Sequence, residues 1–281
     1  MPLYQVDAFT SERFRGNPAA ICILESKDDL TDAEMQQIAA EMNLSETAFI
    51  IPMSGDHCDN FQLRWFTPKV EVSLCGHATL ASAHVLFKEL KVCREDIHFQ
   101  TQSGELVVNH LGDRYQMDFP LGNPTPSEVS DLLCKNLGIQ QNQIISTFKN
   151  EFKGELVAVF EVISAEIVKN LNPNWTALVN SKYNLDFGGV YVTARSDNED
   201  VDFVSRCFFP WVGIREDPVT GSAHTVLGPF WQSKLGKNKL FAYQVSDRLG
   251  EIWMEIPTDN PNNRIFIQGK AITVLKGTLI I

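Results

Sequence analysis

The chain has 281 residues, 44% of them hydrophobic and 21% charged, a globular composition that excludes wholesale disorder. Lys and Arg number 24 against 35 Asp and Glu, giving a net charge of −11, and no basic run exceeds two neighbours. Nucleic acid and acidic membrane surfaces, which need clustered cations, are therefore poor partners.

In chain order, short apolar or alternating runs at 3–7, 19–24, 47–51 and 61–66, bounded by Gly, Pro and Asn, predict strands. A helix is predicted over 31–42, capped by Thr31 or Asp32, with Met35, Ile38, Ala39 and Met42 at helical spacing. A second helix follows Cys75-Gly76; Ala78, Leu80, Ala81, Val85 and Leu86 make it apolar nearly all round, which predicts burial on several sides. Strands are expected at 97–101, 106–109 and 115–119. The segment 120–126 holds three prolines and reads as a linker. Beyond it, 128–137 reads as helix, 156–160, 190–194 and 201–208 as extended, and 221–235 as a second apolar helix. Strands at 241–245, 252–256, 264–267 and 271–281 close the chain.

The two halves echo one another. Arg64-Trp65-Phe66-Thr67-Pro68, Cys75-Gly76-His77-Ala78 and Gly104-Glu105-Leu106 recur as Arg206-Cys207-Phe208-Phe209-Pro210, Thr220-Gly221-Ser222-Ala223 and Gly250-Glu251-Ile252, at offsets of 142, 145 and 146 residues. Three matches in register indicate a duplicated strand–helix–strand lobe. Each repeat puts a small-residue turn at the start of a buried helix, where unpaired N–H groups and the helix dipole favour a carboxylate. Gly76 and Gly221 allow close approach to the backbone. For either helix alone, a plain turn explains these residues as well; two such starts facing each other across a cleft would grip a small anion.

Glu46 lies directly before the apolar run 47–51, where desolvation would raise its pKa from about 4.3 towards the range of about 6–7 suited to proton transfer. A solvated capping Glu is the plainer alternative. Asp217, in Glu216-Asp217-Pro218, sits just ahead of the second helix start, where turn formation is the plainer role. His77 opens the first helix, and His84, seven residues on, reads as a packed core histidine. Cys75 and Thr220 are repeat equivalents, so a racemase working through two thiols lacks its second sulfur. A same-face proton transfer by Glu46 stays open.

The six cysteines (Cys22, Cys58, Cys75, Cys93, Cys134, Cys207) form no C-x-x-C pair and the six histidines (His57, His77, His84, His98, His110, His224) show no metal-ligand spacing, so no metal is expected. No dinucleotide, P-loop, zincin or nucleophile-elbow motif is present, which favours cofactor-free chemistry. The start of the chain has no basic n-region and no run approaches 18 apolar residues. The expectation is a cytoplasmic protein without a membrane span, its sequons at Asn43 and Asn174 idle.

Asp7-Ala8-Phe9-Thr10, Arg15-Gly16-Asn17-Pro18-Ala19-Ala20, Asn43-Leu44-Ser45-Glu46-Thr47-Ala48-Phe49, Gly76-His77-Ala78-Thr79-Leu80 and Glu216-Asp217-Pro218-Val219-Thr220-Gly221-Ser222-Ala223 together resemble the PhzF family of phenazine-biosynthesis proteins, over nearly the whole chain. The Cys-Gly-His-Ala-Thr-Leu-Ala-Ser variant and Trp211-Val212-Gly213 are similar to its animal branch, the phenazine biosynthesis-like domain-containing or MAWD-binding proteins. The resemblance implies an α+β, diaminopimelate-epimerase-like fold of two pseudo-symmetric lobes, each a β-barrel-like sheet around a central helix, with the active site between them. The lobes are expected at 1–120 plus about 270–281, and at 127–269. It further implies a cofactor-independent isomerase of a small carboxylic acid, with Glu46, His77 and Asp217 catalytic and Gly76, Gly221 and Ser222 binding substrate. A homodimer and, from the branch's name, a WD-repeat protein partner are also implied. The chain departs from the family at Cys75, where many members have no thiol, and at Asp247-Arg248-Leu249-Gly250-Glu251, where bacterial relatives carry Gly-Arg-Pro-Ser. Two alternatives accompany this reading: a Cys75-dependent racemase or epimerase, and a non-catalytic protein-binding partner on a reused enzyme fold.

Overall fold

The computed structural model describes residues 1–53, 59–92, 95–152, 155–181 and 187–281. His57, Cys58 and Cys93 lie outside the described residues. The chain divides into two compact units, one of residues 1–118 with 266–281 and one of residues 119–265.

The first unit is a mixed sheet around one helix. Strands β1 (Pro2–Ala8) and β2 (Asn17–Ile23) pair antiparallel, β2 and β3 (Glu46–Pro52) parallel, and β3 and β4 (Asn60–Phe66) antiparallel. Two-residue β5 (Glu71–Val72) and longer β6 (Asp96–Thr101) both pair with β4, the first antiparallel and the second parallel. Strands β7 (Gly104–Leu111) and β8 (Arg114–Pro120) follow as antiparallel hairpins, and β18 (Ala271–Thr278) pairs antiparallel with β1.

Both faces of β2 and β3 are covered, which is why these strands read as continuous apolar runs. Ala20, Cys22, Phe49 and Ile51 pack against Met35 and Ala39 of α1 (Asp32–Met42). By alternation Ala19, Ile21, Ala48 and Ile50 turn to the opposite face, where α2 (Gly76–His84) packs on β1, β2 and β3. Every residue of α2 from His77 to His84 is buried, and the helix continues as a π-helical turn, Val85–Glu89. Helix α1 is closed by a capping box between Thr31 and Glu34.

The second unit repeats this plan. Short β9 (Thr125–Pro126) pairs with β10 (Ile144–Phe152), β10 with β11 (Glu155–Val162) antiparallel, and β11 with β12 (Phe187–Arg195) parallel. Strand β13 (Phe203–Phe209) pairs antiparallel with β12 and with β14 (Ile214–Asp217), and parallel with β15 (Lys239–Gln244), which pairs with β16 (Gly250–Glu255). Strand β17 (Arg264–Gly269) follows; its residues from Phe266 on belong to the first unit. Helices α3 (Asp131–Leu137), α4 (Ala165–Lys169) and α5 (Trp175–Asn180) cover one face of the sheet. On the other face, α6 (Gly221–Leu235) stacks Trp231 on Phe203 and donates its indole N–H to Thr193 at 2.9 Å.

Several expectations need correction. Helix α3 begins at Asp131, not 128, because Ser130 caps it while Ser127 N–H is bonded to Thr147 O. The proline-rich 120–126 follows directly on the division at 118/119 and takes an ordered path: Gly122 N–H bonds Thr225 O, Asn123 N–H bonds Asn150 Oδ1, and Thr125–Pro126 pairs with β10. Pro126 is accommodated there because β9 is a two-residue strand, short enough to spare the missing donor. The last strand stops at Thr278, and β13 starts at Phe203 because Val201 is turned by a bond to Asn198. Strand β10 had no counterpart in the sequence reading, since Lys149, Asn150 and Glu151 interrupt its apolar pattern.

The duplication extends to one ion pair. In the first unit Arg64 Nε and Nη2 grip Glu71 Oε1 and Oε2 at 2.7 and 2.9 Å; in the second, Arg206 grips Glu216 at 2.7 and 2.7 Å. Each guanidinium also lies over the ring two residues on, Phe66 at 5.1 Å and Phe208 at 5.2 Å. These bidentate forks pin β5 and β14 beside their neighbours, immediately before each central helix. The Arg206 side chain is only 9% exposed and its Nη1 also reaches Leu171 O at 2.7 Å, so loss of its carboxylate partner strands a buried charge. Glu216→Ala should lower urea-unfolding stability by about 3 kcal/mol. Removing Asp32, the exposed partner of Arg64, should leave the midpoint almost unmoved.

Candidate active site

Strand alternation decides where Glu46 goes. It is the first residue of β3, two and four residues ahead of Ala48 and Ile50, so its side chain turns to the face covered by α2. There its Oε2 lies 3.2 Å from Nε2 of His77, with the two side chains 13% and 7% exposed. On the other side of the imidazole, Nδ1 lies 3.4 Å from Sγ of Cys75. Glu46, Cys75, Gly76 and His77 thus converge at the start of α2, although Glu46 is 31 residues from His77 in sequence.

Burial holds His77 neutral, its pKa pushed down to about 3. Cys75 is the N-cap residue of α2, and its side chain makes no capping bond. Its carbonyl accepts from Thr79 Oγ1 at 2.6 Å, which fixes the turn. Glu46, Cys75 and His77 are all metal-ligand types, with ligand atoms within 4.8 Å of one another, a cluster that spacing did not reveal. The carboxylate and the thiol approach opposite ring nitrogens, however, whereas a chelated ion uses one.

The second unit gathers the other predicted residues. Asp217 ends β14 opposite Cys207, and its Oδ2 accepts from Thr220 Oγ1 at 2.6 Å. Thr220 is the N-cap of α6, again without a side-chain capping bond, and is followed by Gly221 and half-buried Ser222. Gln244, which sequence reasoning did not single out, clamps this corner. Its Oε1 accepts from Thr220 N–H at 2.8 Å, and its Nε2 donates to Asp217 O at 2.7 Å and to Thr220 Oγ1 at 3.1 Å. His224 Nδ1 reaches Thr220 O at 2.8 Å, as Thr79 does Cys75 O in the first unit.

The repeat therefore puts Thr220 where Cys75 stands and Ser222 where His77 stands. The thiols of Cys22, pushed up to about 12, and of Cys207, raised well above its ordinary value, are silenced by burial. His84, expected to be a core histidine, is buried between Tyr115 Oη and Thr273 Oγ1, each 3.0 Å away, with its pKa pushed down to about 4 by burial.

Known proteins share this fold. The sequence profile of the PhzC-PhzF family, described as phenazine biosynthesis-like protein, matches residues 6–277. The chain belongs to the PhzC-PhzF family. A PhzC-PhzF relative from Halalkalibacterium halodurans, described as an uncharacterized isomerase, is 45% identical over 100% of this chain and 98% of its own. The human phenazine biosynthesis-like domain-containing protein is 41% identical over 99% of each chain. The crystal structure of a PhzF-family phenazine biosynthesis protein from Enterococcus faecalis, 42% identical, covers 100% of this chain and 99% of its own with a TM-score of 0.87. More distant epimerase and proline racemase structures share the fold alone, which is the diaminopimelate-epimerase-like fold expected from the sequence. Among the described residues, no helix is long and apolar enough to cross a membrane.

Two outcomes follow for this PhzC-PhzF protein. His77, His84 and His224 have pKa values pushed by burial to about 3, 4 and 4, so the unfolded chain binds protons that the folded one refuses below about pH 6.5. Their contribution is complete above that pH and declines as the pH falls towards 4, by up to about 1.4 kcal/mol per pH unit per histidine. Surface His98, where Glu105 and Asp96 outweigh desolvation, is raised and offsets part of this. Urea midpoints should fall between pH 7 and pH 5; a flat profile would contradict buried neutral histidines. Gln244→Ala, which removes two buried hydrogen bonds and one part-buried one, should cost about 2–3 kcal/mol in the same measurement.

Proposed function

We propose that this protein is a cofactor-independent isomerase of a small carboxylic acid and that Glu46 is its proton carrier. The observation that supports this most is the half-buried Glu46 carboxyl facing a neutral, buried histidine at the start of a helix. As a carboxylate, Glu46 takes the proton from a carbon activated by the substrate's own unsaturation or carboxyl group. The C–H electron pair delocalises into that system, and Glu46 returns the proton to a second carbon on the same face, so Glu46 ends as it began. The first-turn amides around Gly76 hold the developing negative charge. His77 supports the Glu46 carboxylate; the family resemblance gives Asp217 a catalytic role and Gly76, Gly221 and Ser222 roles in substrate binding. An overall charge of −11 does not oppose an anionic substrate strongly, because local donors outweigh a diffuse, screened field.

The names of isomerase relatives favour this reading over a purely protein-binding role. A two-base racemase using Cys75 needs an opposing base; the repeat offers Thr220, whose hydroxyl donates to Asp217 instead. Cys22, Cys75, Cys134 and Cys207 are thiols rather than disulfide halves, which fits a reducing, cytoplasmic setting. A homodimer belongs to the same reading, as the family resemblance implies.

The test uses a panel of small cyclic and unsaturated acids in D2O, read by mass spectrometry. The wild type should isomerise at least one acid and exchange the migrating hydrogen. Glu46→Gln should lose about 10²–10⁴-fold in turnover while still binding the acid in a thermal-shift assay. Full turnover by that variant would overturn the assignment.

A further inference from the structure

We infer that Gln244 and Thr220 are positioning residues for Asp217: the Gln244 amide sets the direction of the Thr220 hydroxyl, and that hydroxyl delivers its single hydrogen to Asp217 Oδ2. This role rests on the reading of Asp217 as a catalytic residue of the proposed isomerase. The direction follows from two backbone groups that leave no choice. The Thr220 N–H can only donate and lies 2.8 Å from Gln244 Oε1. The Asp217 carbonyl can only accept and lies 2.7 Å from Gln244 Nε2. Each contact separately assigns the oxygen and nitrogen of the amide, and they agree.

Nε2 has a second N–H, which reaches Thr220 Oγ1 at 3.1 Å, so the hydroxyl oxygen accepts there. Its own hydrogen goes to Asp217 Oδ2, 2.6 Å away, the length of a bond from a hydroxyl to an ionised carboxylate. The Cys207 thiol, also hydrogen-bonded to Thr220, is kept protonated by burial and offers no anion to compete for that hydrogen. The chain therefore runs one way, from amide to hydroxyl to carboxylate. Asp217 is held ionised and in a fixed orientation.

The first unit shows that the fold does not require this clamp. There Thr101 pairs with Gly104 as Gln244 pairs with Gly250. Thr101 Oγ1 donates to Gly104 O at 2.6 Å and accepts from Ser103 N–H at 3.1 Å, so its bonds stay within its own turn. The residue after Glu71 is Val72, where the residue after Glu216 is Asp217. The unit with valine in place of the carboxylate thus has threonine in place of the clamping amide. In the second unit the whole turn 217–220 is seated on the hairpin that carries Gln244. Ser246 Oγ donates to Pro218 O at 2.7 Å, and Gly250 leaves room for Val219, whose Cγ2 would lie 2.2 Å from a Cβ there.

Joint neutron and X-ray diffraction of the perdeuterated full chain near neutral pD, without substrate, reads the direction. The expected result is a deuteron on Thr220 Oγ1 pointing at Asp217 Oδ2 and none on Asp217. A deuteron on Oδ2, or a Thr220 deuteron turned to another atom, would overturn the inference. The positioning role is read with an acid that the wild type isomerises. Thr220→Val, close in shape, should lower kcat by roughly 10- to 100-fold at little change in KM. It should also move the acidic limb of the kcat profile to higher pH, because the ionised carboxylate has lost a donor. Thr220→Ser should restore most of both, and Gln244→Glu, whose carboxylate only accepts, should lower kcat as Thr220→Val does. A merely structural role would leave the limb in place, so an unmoved limb in folded Thr220→Val overturns the positioning role. Full turnover by Asp217→Asn, or a wild type that isomerises none of the acids, ends the catalytic reading and the positioning role with it, while the diffraction result still decides the hydrogen's direction.

Discussion

An ionisable side chain set on the covered face of a strand has to find a partner on whatever covers that face. Glu46 is in that position: the pleat of β3 sends it towards α2, and the first turn of α2 answers with His77. Burial makes the imidazole neutral, so the contact is a close approach of two sequestered polar groups, 3.2 Å apart, rather than a surface ion pair. The chemistry attributed to the first unit depends on this one meeting. The elements around it, from the capping box of α1 to the Arg64 fork on β5, keep β3 and α2 in the required register.

Duplication explains why the second unit has the same frame and a different corner. The forks Arg64–Glu71 and Arg206–Glu216, the parallel pairings β4–β6 and β13–β15, and the i−4 bonds from Thr79 and His224 to the N-cap carbonyl are shared. What differs is the side chains at the helix starts. The first has a thiol, an imidazole and a carboxylate close together; the second has hydroxyls, an aspartate and the Gln244 clamp. One scaffold thus carries two differently furnished helix starts.

Neither central helix spends its N-cap side chain on its own first turn, since Cys75 is turned to His77 and Thr220 to Asp217. A Ser or Asp cap would satisfy those amides internally and stabilise the helix by about 1 kcal/mol. Leaving the amides uncapped by side chains sacrifices stability that both helices recover through burial of nearly all their faces.

Most of the strands, both central helices and the repeat were legible in the sequence, because burial on both faces or on one leaves a regular apolar pattern, and because duplication wrote the same motifs twice. Strand β10 escaped, since Lys149, Asn150 and Glu151 break that pattern, and so did the ordered path of 120–126, whose bonds come from Thr225 and Asn150 far along the chain. The candidate residues Glu46, His77 and Asp217 could be picked out by type and by local context, and Arg64 and Arg206 by their echo. Their partners could not: the forks to Glu71 and Glu216, the Gln244 clamp and the thiol on the far side of His77 join residues by sheet register and helix packing, which have no local spacing. By itself the sequence determined that a lobe was duplicated and that small residues open its two central helices. Tertiary structure alone decided which atom of each side chain faces which, because that follows from strand alternation and from the turn on which a helix begins.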